Sequence, residues 1–334
     1  NILNAQGFAQ GRIFIISGHL DSRVSEVMNA NDDAPGANDD GSGVGAVIEA
    51  VRVLSKSKFP ATLIFVAFSG EEQGLLGAKM MAETAKKENW QIEGVLNNDM
   101  IGNTLSSDTH LTNANQLRVF SEGLPAYQTK EKATKIRSLG LENDGDSRQL
   151  ARYIKEIGEN YVPNLEVKMM YRNDRFLRGG DHTAFVTEGF AGVRLTEFNE
   201  NFDHQHQDIR KENGKQYGDL IEFMDFEYFR KNTAVNISVL ANLAKAPAKP
   251  ENVLMDVKEL TNYTVINWEQ PKSGNVAGYY VLMRDTDSSV WQRRIYTKET
   301  SVKLPYSKDN YFFAVQSVNA TGNTSLPVIT GVGR

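Results

Sequence analysis

Strand-length apolar runs alternate with stretches of helical periodicity from Arg12 to the neighbourhood of Leu243. The pattern predicts strands over Arg12–Ser17, Thr62–Ser69, Gly94–Asp99 and Gly192–Thr196, and helices over Val44–Leu54, Leu75–Lys87, Ser147–Ile157 and Phe226–Leu243. Runs such as Ile13–Ile16 and Leu63–Phe68 are apolar without alternation, so both faces of these strands are expected to be buried. That implies an α/β domain with a mixed, mostly parallel sheet sandwiched between helices, and ligands beyond the carboxyl ends of the strands. The least regular stretch, Pro125–Leu177, reads as a lid.

The pattern changes at Ala246–Pro250, Ala-Pro-Ala-Lys-Pro, which cannot continue a helix and reads as a stiff linker. Short strands rich in Val, Tyr, Phe and Thr follow, over Tyr263–Trp268, Gly278–Arg284 and Tyr311–Ser317, and predict a small all-β sandwich. Trp268, Gly278-Tyr279-Tyr280-Val281 and Tyr311-Phe312-Phe313-Ala314-Val315 give this part a resemblance to fibronectin type III modules. The expected domains are therefore 1–245, catalytic, and 246–334, a sandwich that offers a surface for adhesion or glycan contact.

Composition narrows the chemistry. With 37 Lys+Arg against 42 Asp+Glu, the net charge of −5 gives no reason to expect nucleic acid as a partner. The 334 residues include no cysteine, so any transition metal must be held by His, Asp or Glu, and there are only five histidines. No apolar run reaches the ~18–20 residues of a membrane span. The chain opens at Asn1 and reaches a buried-looking strand by Ile13, which leads us to expect further residues upstream.

Polar groups stand at the ends of the predicted strands. His19, in Gly18-His19-Leu20-Asp21-Ser22, can bind metal through one ring nitrogen, with Asp21 close enough to steady the other. Pro35-Gly36-Ala37-Asn38-Asp39-Asp40-Gly41-Ser42-Gly43 is a good turn and N-cap sequence, yet its adjacent acids would also let one carboxylate bridge two cations. In Gly70-Glu71-Glu72-Gln73-Gly74 the glutamates either complement a helix dipole or divide two roles, one ligating and one taking a proton. Asp99 ends the next strand, and a polar loop carries His204 and His206. Taken together, these oxygen and nitrogen donors with one shared carboxylate suit two Zn²⁺ ions ~3.5–4 Å apart.

Gly18–Ser22, Gly36–Gly43, Gly70–Gly74 and Asn98-Asp99-Met100 follow one another as in the M28 metallopeptidases, and the chain resembles that family's bacterial leucyl-aminopeptidase type from about Arg12 to Leu243. The resemblance implies that His19 and Asp99 hold one zinc, that Glu72 and a late histidine hold the other, and that Asp39 bridges them. It makes Glu71 the general base that activates water and later protonates the leaving amine, and Asp21 the partner of His19. The family's His-x-x-x-Asp spacing selects His204 with Asp208 over His206. Many relatives carry a Tyr before that histidine as oxyanion donor; Asp203 stands there in this chain. Gly179-Gly180-Asp181-His182 resembles a family segment near the substrate pocket, equally readable as a glycine-rich turn, and Arg178 and Tyr171 lie close by as substrate contacts.

The implied activity is hydrolysis at the free amino terminus of a peptide, because a carboxylate-rich site favours a cation beside the scissile bond. Alternatives are a carboxypeptidase or dipeptidase of the same fold, a single-zinc glutaminyl cyclase, and a non-catalytic binding protein. Family habit places such chains outside the cytoplasm, periplasmic or secreted.

Overall fold

The computed structural model describes residues 2–3 and 11–333. The first part of the chain runs β1 (Ile2–Leu3), β2 (Arg12–His19), α1 (Gly41–Leu54), β3 (Thr62–Phe68), α2 (Leu76–Lys87), β4 (Gln91–Asn98), β5 (Gln116–Phe120), α3 (Lys130–Leu139), α4 (Asp146–Tyr161), β6 (Glu166–Met170), α5 (His182–Thr187), β7 (Gly192–Glu197), β8 (Arg210–Glu212), β9 (Lys215–Tyr217) and α6 (Phe226–Lys245). A seven-stranded sheet has the order β1-β3-β2-β4-β7-β5-β6. Its central strands β3, β2, β4 and β7 are parallel, and β5 joins β7 in the antiparallel sense. His19 is in register with Phe68, Ser17 with Asn97, and Asn98 with Leu195, so the carboxyl ends of the four central strands line up along one edge of the sheet.

Alternate side chains of the buried strands serve opposite layers. Ile13, Ile15, Ile64 and Val95 pack with Ala78, Ala82 and Ala85 of α2 and with Phe185 of α5. The small alanines at helical spacing let α2 lie close against the sheet. On the other face a Cβ at Gly94 would meet Leu150 of α4 and Phe14 within 3.4 Å, which places α4 directly over β2 and β4.

The stretch read as a lid is mostly scaffold. It holds α3, α4 and β6, and α4 buries much of its length, including Leu150, Tyr153 and Ile154. Only α3 buries none of its residues.

The chain divides by its internal contacts into Asn1–Ala241 and Asn242–Arg334. The second unit contains β10 (Glu251–Asp256), β11 (Thr264–Glu269), β12 (Gly278–Asp285), β13 (Arg293–Thr297), β14 (Ser301–Leu304), β15 (Tyr311–Val318), β16 (Val328–Ile329) and β17 (Gly331–Gly333). They form two four-stranded sheets, β14-β11-β10-β17 and β13-β12-β15-β16. Ile266 and Trp268 from one sheet meet Tyr279, Val281, Phe313 and Val315 from the other in a single apolar core, the arrangement of a β-sandwich. Among the described residues no helix is long and apolar enough to cross a membrane.

Candidate metal centre

The site is built where β2, β3 and β4 end. Asp40 organises it. Its carboxylate caps α1 by accepting from the Gly43 N–H at 2.9 Å, and also accepts from the backbone N–H of His19 at 2.9 Å and of Met100 at 3.2 Å. One buried acid thus ties the ends of β2 and β4 to the start of α1, and burial raises its pKa well above the usual carboxylate range. The close approach depends on glycine, for a Cβ at Gly18 would come within 2.7 Å of the Asp40 carboxylate and 2.6 Å of the Gly43 backbone.

The neighbouring acid, Asp39, faces the opposite way. Its N–H donates to Asp219 at 2.7 Å, which turns its carboxylate between two imidazoles. Oδ1 lies 3.2 Å from His19 Nε2 and Oδ2 lies 2.9 Å from His206 Nε2. Burial alone would raise the Asp39 pKa; the hydrogen bonds to His19 and His206 outweigh it and hold the group well below its ordinary value. His19 is pushed up to about 12, because Asp40, Asp39 and Asp99 together overcome the opposing effect of burial.

Glu71 and Glu72 occupy the turn after β3, outside the helix, since α2 begins only at Leu76. Gly70, at φ 73°, makes the left-handed bend that starts this turn. The Asp21 carboxylate accepts from the N–H of Glu71 at 3.2 Å and of Glu72 at 3.0 Å. Asp21 meets His19 through its backbone carbonyl, 2.9 Å from Nδ1, and its carboxylate fixes the two glutamates. Burial, with Asp99, Asp181 and Glu72 as further negative neighbours, pushes the Glu71 carboxyl up to about 8.

The late histidine also differs from the reading by spacing. His204 stacks flat on Phe223, ring centroids 3.7 Å apart at 11°. His206 is the one brought in, with Nε2 also 3.0 Å from Glu72 Oε1. Its backbone sits in the left-handed region at φ 57°, which redirects the side chain toward the centre. Asp208, the second half of the expected spacing, accepts instead from the N–H and Oγ of Ser25. With His206 in this role the preceding residue is Gln205, whose amide donates to Asp39 Oδ2 at 3.1 Å, whereas Asp203 pairs with Lys215.

The remaining expected residues spread around this core. Asp99 follows β4 and lies 2.8 Å from the fully buried Arg194. Asp181 is buried, its carboxylate oxygens have no hydrogen-bond partner among the described residues, and burial, with Asp99 and Asp21, pushes it up to about 7. His182 turns inward, its Nε2 3.0 Å from the Asn173 carbonyl, and burial lowers its pKa. Arg178 reaches Gln205 at 3.2 Å, one hydrogen bond removed from Asp39. Tyr171 packs under Arg148, 3.8 Å from the ring centroid, and so faces that side chain rather than the centre.

The donor set is that of a cation site. His19, Asp39 and Glu72 each offer a ligand atom, all within 4.8 Å of one another. His206 Nε2 stands between two carboxylate oxygens at 2.9 and 3.0 Å, yet one ring nitrogen carries at most one proton and can serve only one of them. A divalent cation coordinated by these nitrogen and oxygen donors satisfies all of them at once.

The comparisons with known proteins agree with this geometry. A profile described as peptidase family M28 matches residues 2–223. A curated protein of Leptosphaeria maculans, named "Probable zinc metalloprotease", is 44% identical over 318 residues, covering 95% of this chain and 74% of that protein. One of the same name from Pyrenophora tritici-repentis is 44% identical over 320 residues, and the chain spans 66% of its length. Among solved structures, the LapA aminopeptidase of Legionella pneumophila superposes with a TM-score of 0.50 at 18% identity, over 73% of this chain and 53% of that one. BSAP, a zinc aminopeptidase from Bacillus subtilis, gives the same TM-score and identity over 73% and 49%. At such identity these structures show a common fold. On the profile match and the sequence relatives, the chain belongs to peptidase family M28.

Proposed function

We propose that the chain is a zinc-dependent exopeptidase that removes residues from the amino terminus of peptides, with two zinc ions bridged by Asp39. The observation that carries this is Asp39 itself, whose two oxygens face separate imidazoles, His19 and His206. Glu72 would join His206 on one ion, and Asp99 would join His19 on the other. The name carried by the sequence relatives supports zinc as the metal. When bound, the metal supplies Lewis acidity, lowering the pKa of water and polarising a carbonyl.

The chain's own residues do the rest. Glu71, held by its N–H on Asp21, takes a proton from water onto its carboxylate and returns it to the leaving amine. Placed beside the donors, one carboxylate can serve both steps. The side-chain amide of Gln205 and the guanidinium of Arg178 supply hydrogen-bond donors beside Asp39, where negative charge develops on the carbonyl oxygen. Asp181, buried and with no hydrogen-bond partner among the described residues, supports amino-terminal polarity, because an α-ammonium group would give its carboxylate a donor.

Arg178 favours a second reading, carboxypeptidase polarity, since its partly exposed guanidinium could receive a terminal carboxylate; Glu200 at 3.7 Å already offsets that charge. The test is to chelate the protein, restore zinc in steps, and assay free, N-acetylated and C-amidated peptides. Cleavage of free and amidated peptides but not acetylated ones, rising with zinc to two equivalents, is expected. Cleavage of acetylated but not amidated peptides would reverse the polarity, and no zinc-dependent cleavage of any peptide would remove the enzymatic reading.

A further inference from the structure

A charged side chain in the middle of β7, between Val193 and Leu195, is unusual for a strand buried on both faces. Arg194 is fully buried, and the nearby acids hold its guanidinium far above the ordinary arginine pKa against the effect of burial. Nη2 lies 2.8 Å from Asp99 Oδ1 and also reaches the Asp99 carbonyl at 3.5 Å. Nη1 donates to Asp174 Oδ2 at 3.2 Å and to the Gly179 carbonyl at 3.0 Å. One guanidinium therefore joins an acid of the metal centre to both ends of the segment 174–179, and that segment carries Arg178.

A buried ion pair is a poor device for stability alone, because apolar residues of similar volume often do as well. The fork geometry of arginine instead fixes direction, since its two ends bind separate acceptors in one plane. Holding Asp99 by Oδ1 fixes the orientation of its carboxylate. The same plane sets where Asp174 and Gly179 rest.

We infer that Arg194 is a positioning residue that couples occupation of the metal centre at Asp99 to the order of segment 174–179, the wall from which Arg178 reaches Gln205. A cation on Asp99 draws on the carboxylate that Arg194 shares, leaving the guanidinium more strongly held by Asp174 and Gly179. By linkage, an ordered segment returns the same preference to the metal. The inference rests on the reading of Asp99 as a zinc ligand.

The experiment measures zinc affinity by competition with a chromophoric chelator, and amide hydrogen exchange over 174–179 with and without zinc. In the unmodified chain zinc slows that exchange. Arg194→Lys, whose point charge cannot span both partners, loses ~10–100-fold in affinity at the weaker site, the usual effect of removing a ligand's supporting contact, and zinc no longer slows the exchange. Asp174→Asn keeps the Asp99 contact but cuts the coupling, so zinc protection of 174–179 is lost and zinc affinity falls by no more than the factor by which zinc slows exchange in the unmodified chain. The inference is overturned if Arg194→Lys binds both ions as tightly as the unmodified chain, or if zinc protects the segment equally in Asp174→Asn. Should Arg194→Lys fail to fold, Asp174→Asn decides alone. Asp99→Asn is the separate control: uptake of two zinc ions with unchanged affinity there would defeat the ligand assignment itself, whatever Arg194 does.

Discussion

Oδ2 of Asp39 is 2.9 Å from Nε2 of His206, a contact between residues far apart in sequence that closes one side of the metal centre. Two residues earlier, His204 is stacked on Phe223 and contributes packing. His206→Ala should therefore bind one equivalent less zinc than the unmodified chain and lose nearly all turnover. His204→Ala should keep its zinc and suffer chiefly in stability, by about 1–2 kcal/mol for the lost stacking and burial. Metal analysis of the two purified variants checks this; equal zinc content in both would count against the assignment.

Glu71 stands beside the donors without belonging to their closest group, which is His19, Asp39 and Glu72. Replacing its carboxylate by an amide of the same shape removes the proton acceptor and leaves those ligands in place. Glu71→Gln is expected to lose ~10²–10⁴ in kcat with zinc content unchanged, whereas Glu72→Gln should lower zinc affinity. Turnover at the unmodified level by Glu71→Gln in excess zinc would rule out its role as base.

Asp21 offers a sharper test, because its two contacts separate by atom type. The backbone carbonyl meets His19 and the carboxylate meets the amides of Glu71 and Glu72. Asp21→Ala removes only the second contact. We expect kcat to fall by roughly 10-fold or more as the glutamate turn loosens, since small misplacements of reacting groups are costly, while zinc at His19 is retained. A variant that loses the His19 zinc and keeps the geometry of the turn would point back to a carboxylate acting on the imidazole.

Much of the central sheet could be read from sequence because β2, β3, β4 and β7 are apolar runs bounded by polar groups, and strand ends are where such sheets present ligands. His19, Asp39, Glu71, Glu72 and Asp99 all lie next to those ends. The strands β5, Gln116–Phe120, and β6, Glu166–Met170, were missed because each is short and mixes charged with apolar residues near the edge of the sheet. The choice between His204 and His206 depended on a left-handed backbone residue and on Phe223, neither of which leaves a trace in local spacing. Arg194 did leave one, a cation inside an apolar strand; Asp40 could be read as an N-cap, but its hold on His19, like that of Asp219 on Asp39, was hidden because the partners are backbone amides brought together only by the fold.

The protonation of the centre gives the chelated protein a characteristic pH response. His206 is raised from 6.5 to about 9, since Asp39 and Glu72 outweigh burial, and Glu71 is raised from 4.5 to about 8, chiefly by burial. A group whose pKa is higher in the folded state binds its proton more tightly there, so its stabilising contribution is complete below the unfolded pKa and is lost as pH climbs through the folded one. For His206 that window is about 6.5 to 9; for Glu71 it is about 4.5 to 8. Both slopes point the same way above neutrality. The shift at His206 is on the order of 3 kcal/mol at one pKa unit per 1.36 kcal/mol, corresponding to a fall of roughly 5–10 °C in Tm between pH 6.5 and 9 for a domain of this size. Zinc takes the place of the proton on His206, and its charge favours the ionised form of the neighbouring Glu71, so the zinc-loaded protein should hold its Tm over the same range. Thermal melts in chelator and in excess zinc, with His206→Gln as a control that flattens part of the slope, provide the measurement. A chelated protein whose Tm is level or rising from pH 6.5 to 9 would mean that these groups do not share their protons in the way the geometry requires.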